Sequence, residues 1–562
     1  MIQRIADRFW TFFETAVSWK LFAAMVCSAV LLRIHTVFID FIHVDVLTTF
    51  VIVKDELAGR SFSINKGALY HYLMKFSIEH MWDSPTSFHF IGVLFVVATC
   101  VSIFILGYLL YNARTGLLAG TLYGCIISSF NHGFLATNGE VVYNLFFVLS
   151  FIFYYLAVYM KKYIYLVPLA ASVYAACQVK FQGIYVAGIL VCYTLFILPY
   201  ALIESNRRRK FYYGIILAGS ILLTIILSVD WNYTGLLFSE TLKAKILSNY
   251  SYVAAKGLNP VVLLSKLLLR IWLFGLYHSI IWVPGIIGII RYFRKSNSVQ
   301  SYRFIVWITL MLFAAAFTGG VRLYNHYFIP VLAPLSVIAS AEIFRMLESA
   351  GNRRRLFIIF VVPVFFWFGW NMRDLVMLKW KPEWKHTEGN GMYLFRSVFI
   401  NSLGEYLLPG QALQPAIDYL RQTPADSSIF VWPMGTEVVY FSKRHSSISR
   451  YWLNERASFA LVEREKGNDS IITEVEQDII NNIKTTSPDY FVDTSGTVMV
   501  RKSLVYKKRT DPPYYLDLKS VPIIRFGSYG NLSDFPQIID FLNANYVFQG
   551  NYGDVRIWKK FR

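Results

Sequence analysis

The chain has 562 residues, of which 56% are hydrophobic and 17% aromatic, while only 16% are charged. Soluble domains average about 25% charged residues, so this composition argues against an ordinary soluble protein and for a membrane protein. The formal net charge of +19 does not indicate nucleic-acid binding, because the basic residues form short clusters between apolar runs rather than a continuous stripe.

Apolar runs long enough to cross a bilayer recur along the first two thirds of the chain. A bilayer core about 30 Å thick needs roughly 20 apolar residues per helix. We therefore predict an all-α polytopic domain over residues 1–373, with about eleven transmembrane helices. The runs lie near 21–41, 88–110, 115–131, 140–160, 163–179, 183–203, 212–229, 270–291, 303–319, 323–344 and 355–373.

Basic residues occupy every second connection between these runs, which is typical of cytoplasmic loops. The N-terminus is therefore predicted inside, and an odd number of spans places the C-terminal region outside. We expect a multi-pass protein of the bacterial inner membrane, with the endoplasmic reticulum as the open alternative. The clusters are Arg4, Arg8 and Lys20; Arg114; Lys161 and Lys162; Arg207, Arg208, Arg209 and Lys210; Arg291, Arg294 and Lys295; and Arg345, Arg353, Arg354 and Arg355.

The external loop 42–87 is long enough to contain structure of its own, and its second half has helical periodicity. Such an amphipathic helix is predicted either to lie along the membrane surface or to pack on the other spans. The apolar positions are Leu69, Tyr72, Leu73 and Phe76, and the polar positions on the other face are His71, Lys75 and Glu79.

From residue 374 to 562 the composition changes to that of a soluble domain, and short β-rich runs alternate with helical patterns. This alternation predicts a small extracytoplasmic α/β domain. The β-rich runs are 429–432, 490–492 and 555–558, and the helical patterns lie near 411–422, 473–484 and 534–543.

Ionisable residues near the outer ends of the predicted spans are the candidate functional residues, because charge is costly in or beside a membrane. Two are acids, Asp45 after the first span and Glu140 at the start of the fourth. Each also has a structural explanation, as a loop carboxylate or as a helix-capping acid. The cations at a similar depth are Lys66, Lys180, Arg270 and Arg322.

Together these residues predict an outward-facing cavity that contains two carboxylates and several cations. A carboxylate can accept the proton of a hydroxyl or amine that attacks a sugar carbon. Fixed cations can neutralise a phosphate that leaves from that carbon. The combination therefore suits transfer of a sugar from a lipid phosphate.

With these residues the sequence resembles the GT-C superfamily of lipid-phosphate-dependent glycosyltransferases, in particular the protein O-mannosyltransferase and aminoarabinose transferase group. Members have an Asp in the first external loop, then a Gly, then a Lys-Pro-Pro-Leu-Tyr-like segment. Asp45, Gly59 and the segment 66–70 (Lys-Gly-Ala-Leu-Tyr) occupy those places in order, Glu140 matches a second acid, and residues 326–330 (His-Tyr-Phe-Ile-Pro) resemble a late signature.

The resemblance implies inverting transfer from a polyprenyl-monophosphate sugar to a glycan, lipid or protein acceptor outside the cytoplasm. Asp45 would be the general base, and Glu140 would position the acceptor or the sugar. Lys66, Lys180, Arg270, Arg322 and Tyr327 would contact the donor phosphate, and His71 and His326 the acceptor or sugar. No resident cofactor is implied, and a metal at His71 and His326 is an alternative without ligand spacing to support it. Because no Asp-x-Asp lies near Asp45, a monophosphate donor is favoured over a metal-bound diphosphate.

Several alternatives stay open. Val46 replaces the acid that usually follows the catalytic Asp, and the literal Asp55-Glu56 pair is a second candidate for the base. A secondary transporter would also explain the charges, but it predicts internal repeats and interrupted helices, which the sequence does not show. A polymerase or oligosaccharyltransferase acting on a diphosphate-linked glycan is the other alternative.

Overall fold

The structure is a computed structural model. It describes residues 19–38, 44–59, 66–129, 132–197, 278–294, 300–318, 325–349, 410–432, 436–447, 470–494, 532–553 and 555–561, with four isolated positions between 457 and 464. By their contacts these residues form two units. The first contains 19–38 and the described residues from 66 to 349, and the second contains 44–59 and those from 410 onward.

Helices make up the described chain as far as residue 349. They are α1 (Trp19–Arg33), α2 (Val44–Leu57), α3 (Ala68–His80), α4 (Pro85–Leu110), α5 (Ala113–Ile127), α6 (His132–Leu135), α7 (Gly139–Val158), α8 (Leu166–Val179), α9 (Ile184–Cys192), α10 (Ser279–Arg294), α11 (Gln300–Thr318) and α12 (Ile329–Ser349). Short 3-10 turns extend α1 at its C-terminal end (Ile34–Phe38) and α12 at its N-terminal end (Asn325–Phe328).

Within the described residues, four helical segments are long and apolar enough to cross a membrane: Trp19–Phe38, Pro85–Leu110, Gly139–Val158 and His326–Glu348. Four shorter apolar helices accompany them. Nine of the eleven predicted spans coincide wholly or partly with helices, while 212–229 and 355–373 lie outside the described residues. The count of eleven spans therefore stays a prediction.

Local capping explains where the spans begin. The Ser84 hydroxyl accepts a hydrogen bond from the Thr86 N–H at 3.2 Å, with Pro85 in the first helical position of α4. Asn112 does the same for Thr115 at the start of α5, at 2.9 Å. These are the residue types that satisfy the unpaired N–H groups of a helix start.

The apolar segment His326–Glu348 lies at the centre of the first unit, because 83% of its most apolar window is buried within the protein.

Helix α3 is present where the external loop predicted it, but its orientation differs in part from the prediction. Tyr70, His71, Met74 and Ser77 form its buried side. His71 was predicted on the polar outer face and is instead 7% exposed, because the helix packs against α4 and α8 through this side. Of the predicted apolar positions, Tyr72 and Phe76 remain exposed.

The second unit contains the predicted α/β domain. Its elements from residue 410 onward are α13 (Gly410–Arg421), β1 (Ser428–Trp432), α14 (Thr436–Ser442), β2 (His445–Ser446), α15 (Ser470–Thr486), β3 (Tyr490–Asp493), α16 (Pro536–Asn545), β4 (Tyr546–Tyr552) and β5 (Val555–Lys560). The five strands form one sheet in the order β2-β1-β3-β5-β4. Strands β2, β1 and β3 are parallel, and β5 and β4 are antiparallel to their neighbours.

Two apolar clusters sandwich this sheet, because alternate side chains of a strand point to opposite faces. Ile429 and Val431 of β1 face one cluster with α13 and α14, while Phe430 and Trp432 face the other with α15 and α16. Strands buried on both faces read as continuous apolar runs, which is why β1, β3 and β5 were recognisable in the sequence.

One element of this unit comes from a part of the chain that was assigned to the transmembrane domain. Helix α2 lies in the external loop assigned to the transmembrane domain, yet its residues group with the α/β domain. Leu47 and Val51 belong to the same apolar cluster as α13 and α14. Gly59 follows the helix with φ = 81°, the left-handed conformation that ends helices at low cost only for glycine.

Helix α16 begins without a capping side chain of its own, and a neighbouring helix supplies one. The Gln537 N–H donates to Glu476 Oε1 of α15 at 2.8 Å, and Glu476 is 2% exposed. Burial raises the pKa of Glu476, while the N–H groups of Gln537 and Ile538 oppose that shift.

We predict that Glu476→Ala destabilises α16 by about 1–2 kcal/mol, because the partly buried N–H of Gln537 loses its acceptor. Hydrogen exchange of residues 536–545 in the full-length protein should accelerate roughly five- to thirtyfold. Gln477→Ala is the matched control, since Gln477 bonds the Gln537 side chain at the exposed surface of the same two helices. Equal effects of the two variants would contradict the capping role.

Glu476→Gln keeps an acceptor oxygen and should preserve α16. A carboxyl whose pKa is raised on folding stabilises most below its unfolded pKa and loses that contribution as the pH rises through the folded value. The protection of α16 in Glu476→Gln relative to the unaltered protein should therefore increase with pH from about 4 upward.

Candidate active site

Glu140 is the best-defined ionisable residue of the first unit. It lies in the first turn of α7, after Asn138 and Gly139, and it is 1% exposed. The helix dipole favours a carboxylate at this position. A buried carboxylate nevertheless needs nearby cations, because desolvation penalises its charge.

Basic side chains from three other segments approach Glu140. Lys180 Nζ donates to Glu140 Oε1 at 2.5 Å, and its side chain is 14% exposed. His326 Nε2 lies 4.0 Å from the same oxygen. Lys66 also lies close enough for its charge to act on Glu140. Among the described residues, Glu140 thus lies close to two lysines and a histidine.

A single backbone hydrogen bond joins the two lysine segments. The Gly67 N–H donates to the Val179 carbonyl at 3.0 Å, so Lys66 precedes and Lys180 follows the bonded residues. A Cβ at Gly67 would lie 2.1 Å from the Gln178 carbonyl oxygen. Only glycine allows this approach, which explains why Gly67 follows Lys66 here.

Aromatic rings lie beside both lysines. Lys180 Nζ is 5.7 Å from the ring centre of Tyr327, and Lys66 Nζ is 6.0 Å from that of Tyr70. Contacts of this kind favour the charged amine. The His326 ring is also 4.7 Å from that of Tyr327. The structure therefore groups Glu140, Lys66, Lys180, His326 and Tyr327, while His71 is buried one helical turn after Gly67.

The segment before Glu140 is fixed by a residue that sequence reasoning missed. Arg33, at the end of α1, is fully buried and donates to the carbonyls of Ile127 at 2.6 Å and Phe134 at 2.7 Å, with Ala136 at 3.5 Å. The guanidinium suits this task, because its planar fork presents several donors at once. An arginine inside the first apolar run was the available signal.

Two further side chains hold the same segment from other helices. Tyr70 donates its hydroxyl to the Thr137 carbonyl at 2.7 Å, and His89 Nδ1 lies 3.1 Å from the Thr137 hydroxyl. The path from α6 to α7 is thus bonded to α1, α3 and α4. These contacts determine where α7 begins and therefore where the Glu140 carboxylate lies.

The other predicted site residues are not part of this group. Asp45 belongs to the second unit, where it is partly buried in the first turn of α2 and its backbone carbonyl accepts from the Thr49 hydroxyl at 2.9 Å. Arg270 and Arg322 lie outside the described residues. The predicted pocket shared by all of them therefore stays a prediction, as do the individual roles.

In the alternative acid pair Asp55-Glu56, Asp55 contacts the α/β unit. Asp55 is 5% exposed, and its carboxylate accepts from the Ser446 N–H of β2 at 3.3 Å. Among the residues that the structure describes, no three His, Cys, Asp or Glu side chains form a group that could hold a metal ion. The Glu140 carboxylate, which lies near His326, is already paired with Lys180.

Neither a family model nor a curated protein sequence matches the chain. Solved structures do. The oligosaccharyltransferase of Archaeoglobus fulgidus in its apo form aligns with a TM-score of 0.50 at 14% identity, covering 88% of this chain and 71% of that protein. The aminoarabinose transferase ArnT of Cupriavidus metallidurans, bound to undecaprenyl phosphate, aligns with a TM-score of 0.50 at 12% identity. The alignment covers 76% of this chain and 86% of ArnT. Both proteins are GT-C superfamily members.

The chain has a GT-C fold. The resemblance inferred from short sequence motifs is thus confirmed at the level of the fold. Together with four helices that can cross a bilayer, this fold identifies an integral membrane protein.

We predict that Arg33→Ala lowers the apparent Tm of the detergent-solubilised protein by roughly 5–10 °C. The substitution leaves buried carbonyls without donors, and hydrogen bonds to a charged group contribute about 1.5–3 kcal/mol each. The Tm of Arg33→Lys should lie between those of the unaltered protein and Arg33→Ala, because an ammonium group lacks the planar fork of a guanidinium.

Arg114→Ala is the control, since Arg114 is an exposed arginine at the start of α5. Its Tm should change little, as surface substitutions usually alter stability by less than about 0.5 kcal/mol. If Arg33→Ala unfolded at the same temperature as Arg114→Ala, the segment before Glu140 would not depend on Arg33.

Proposed function

We propose that the chain is an inverting glycosyltransferase that moves a sugar from a polyprenyl-monophosphate donor to an acceptor on the extracytoplasmic face of the membrane. The observation that carries the proposal is the position of Lys66 and Lys180 beside Glu140. The bond from Gly67 to Val179 brings Lys66 and Lys180 to one place, beside a buried acid. A glycosyl phosphate needs such positive charge where its phosphate leaves.

In the proposed reaction, an acceptor oxygen or nitrogen attacks the anomeric carbon and loses its proton to the Asp45 carboxylate. The bond from that carbon to the phosphate oxygen breaks, and the polyprenyl phosphate departs with the electron pair. Attack opposite to the leaving group inverts the configuration. Lys66 and Lys180 stabilise the departing phosphate, with Arg270 and Arg322 as further predicted contacts.

Glu140 acts through its partners in this scheme. Its ion pair fixes the Lys180 ammonium, so the lysine is oriented before the donor binds. Lys66 and Lys180 supply the positive charge for the phosphate. Tyr327 can donate its hydroxyl to the same phosphate. His326 and His71 are assigned to the sugar or the acceptor, which can be a glycan, a lipid or a protein.

The donor class has support from one relative in fold. ArnT was solved with undecaprenyl phosphate, a polyprenyl monophosphate. The similarity to an oligosaccharyltransferase supports a second candidate, transfer of a glycan from a lipid-linked donor to a peptide. The acceptor and the number of phosphates in the donor distinguish the two candidates. We place the C-terminal α/β domain on the extracytoplasmic side, in the periplasm if the membrane is bacterial.

Asp45→Asn should abolish transfer while expression and donor binding persist, because the amide cannot accept the proton. The measurement is turnover of labelled undecaprenyl-phosphate mannose, glucose and aminoarabinose by purified protein, followed both as transfer and as sugar release to water. The loss should exceed roughly 100-fold, the range of general-base contributions.

Near-normal turnover by Asp45→Asn would remove Asp45 as the base. Turnover of diphosphate donors alone would favour the oligosaccharyltransferase or polymerase candidate. Absence of turnover with every donor, combined with movement of labelled sugar across vesicles, would favour a transporter.

Gly67→Ala should weaken donor binding, because the added methyl group forces Lys66 away from residues 178–180. We expect the KM for the donor to rise about tenfold or more, with Lys66→Ala giving a similar change. Gly188→Ala is the matched control, since a Cβ at Gly188 meets no atom within 4 Å. An unchanged KM in both Gly67→Ala and Lys66→Ala would exclude Lys66 from the donor site.

A further inference from the structure

The helix that carries Asp45 is built into the α/β unit. Leu47 and Val51, one helical turn apart on α2, are 1% and 7% exposed within the apolar cluster formed by α13, α14 and one face of the sheet. The ring of Phe50 also contacts that of Tyr440 of α14, with 5.8 Å between ring centres.

Two polar contacts orient α2 relative to the elements on which it packs. The hydroxyls of Thr48 and Thr436, the first residue of α14, are 2.9 Å apart. At the other end of α2, Asp55 accepts from the Ser446 N–H of β2, and His445 Nδ1 lies 3.7 Å from its second oxygen. The helix is thus held near its start by α14 and near its end by β2.

The positions of these contacts leave Asp45 on another side of the helix. Residues 47, 48, 51 and 55 share one face at about 100° per residue, and Asp45 lies roughly 100° from its centre. Asp45 is in the first turn and is partly exposed. The contacts with the domain therefore fix the rotation and the height of α2 without covering Asp45 completely.

We propose that Thr48 and Asp55 are positioning residues, through which the α/β domain holds the Asp45 carboxylate in place for proton abstraction. This inference rests on the proposed function, because it takes Asp45 as the general base. It makes the domain part of the catalytic apparatus. A displacement of about 1 Å at a reacting group can cost roughly 100-fold in rate, so the register of α2 matters.

Packing alone does not account for Asp55. A buried carboxylate costs desolvation energy, which an apolar residue at the same position would avoid. What the carboxylate adds is direction, since its two oxygens meet a backbone N–H and an imidazole on adjacent residues of β2. A rotation of α2 by one residue would break both contacts.

The first experiment separates positioning from donor binding. Asp55→Ala in the full-length protein should lower kcat about 10- to 100-fold with the donor KM nearly unchanged, because only the base is displaced. Asp55→Asn retains an acceptor for the Ser446 N–H and should restore most of kcat. Asp418→Ala removes an exposed carboxylate from the same domain and is the matched control.

The second experiment does not depend on Asp45 being the base. Thr48→Cys combined with Thr436→Cys should form a disulfide on oxidation, since the two hydroxyl oxygens are 2.9 Å apart. The oxidised protein should keep its kcat within about twofold of the reduced form, because the bond preserves the position of α2. The two single-cysteine variants control for pairing with the five native cysteines.

The outcomes distinguish this inference from the proposed function. Full activity of Asp55→Ala, no crosslink, or a crosslink that abolishes turnover until reduced would each overturn the positioning role. If Asp45→Asn is active while the crosslink forms, the proposed base is wrong, and with it the inference that Asp55 acts through Asp45. Loss of kcat in Asp55→Ala, rescue by Asp55→Asn and an active crosslinked form together would establish the inference.

Discussion

The arrangement of the candidate site depends on one close backbone contact, the hydrogen bond from Gly67 to Val179. This bond ties the external loop to the end of α8, and the lysines on either side of it become neighbours. Two like charges at close range repel each other, so the arrangement requires an acid, which Glu140 supplies through Lys180. The absence of a side chain at position 67 thus underlies the electrostatics of the site.

The position of Glu140 in turn depends on polar contacts within the first unit. Arg33, Tyr70 and His89 reach the segment before α7 from three helices and satisfy its backbone and side-chain groups. Irregular backbone at membrane depth is tolerated only where protein or water meets its hydrogen-bonding needs. The same contacts that make this segment stable also determine where α7, and therefore Glu140, begins.

Much of this architecture was predictable from the sequence, because apolar length and strand alternation are local properties. The helices of the first unit and strands β1, β3 and β5 follow from such patterns. The buried side of α3 could not be predicted in this way, because packing against neighbouring helices, and not periodicity, buries Tyr70 and His71. Lys66, Lys180 and Glu140 were recognisable as charges in costly places, but the pairing of Lys180 with Glu140 needed the fold. The partnership of α2 with the α/β domain joins distant parts of the chain, and no local pattern reports it.

That partnership has a consequence for biosynthesis. Thr48 and Thr436 meet although 388 positions separate them, so α2 leaves the ribosome long before the sheet that completes its surroundings. At about 5–20 residues per second, the delay is roughly 20–80 s. During that interval the apolar positions of α2 have no domain to cover them. Folding of the domain therefore waits for its C-terminal strands, and an incompletely translated chain would leave α2 without its support.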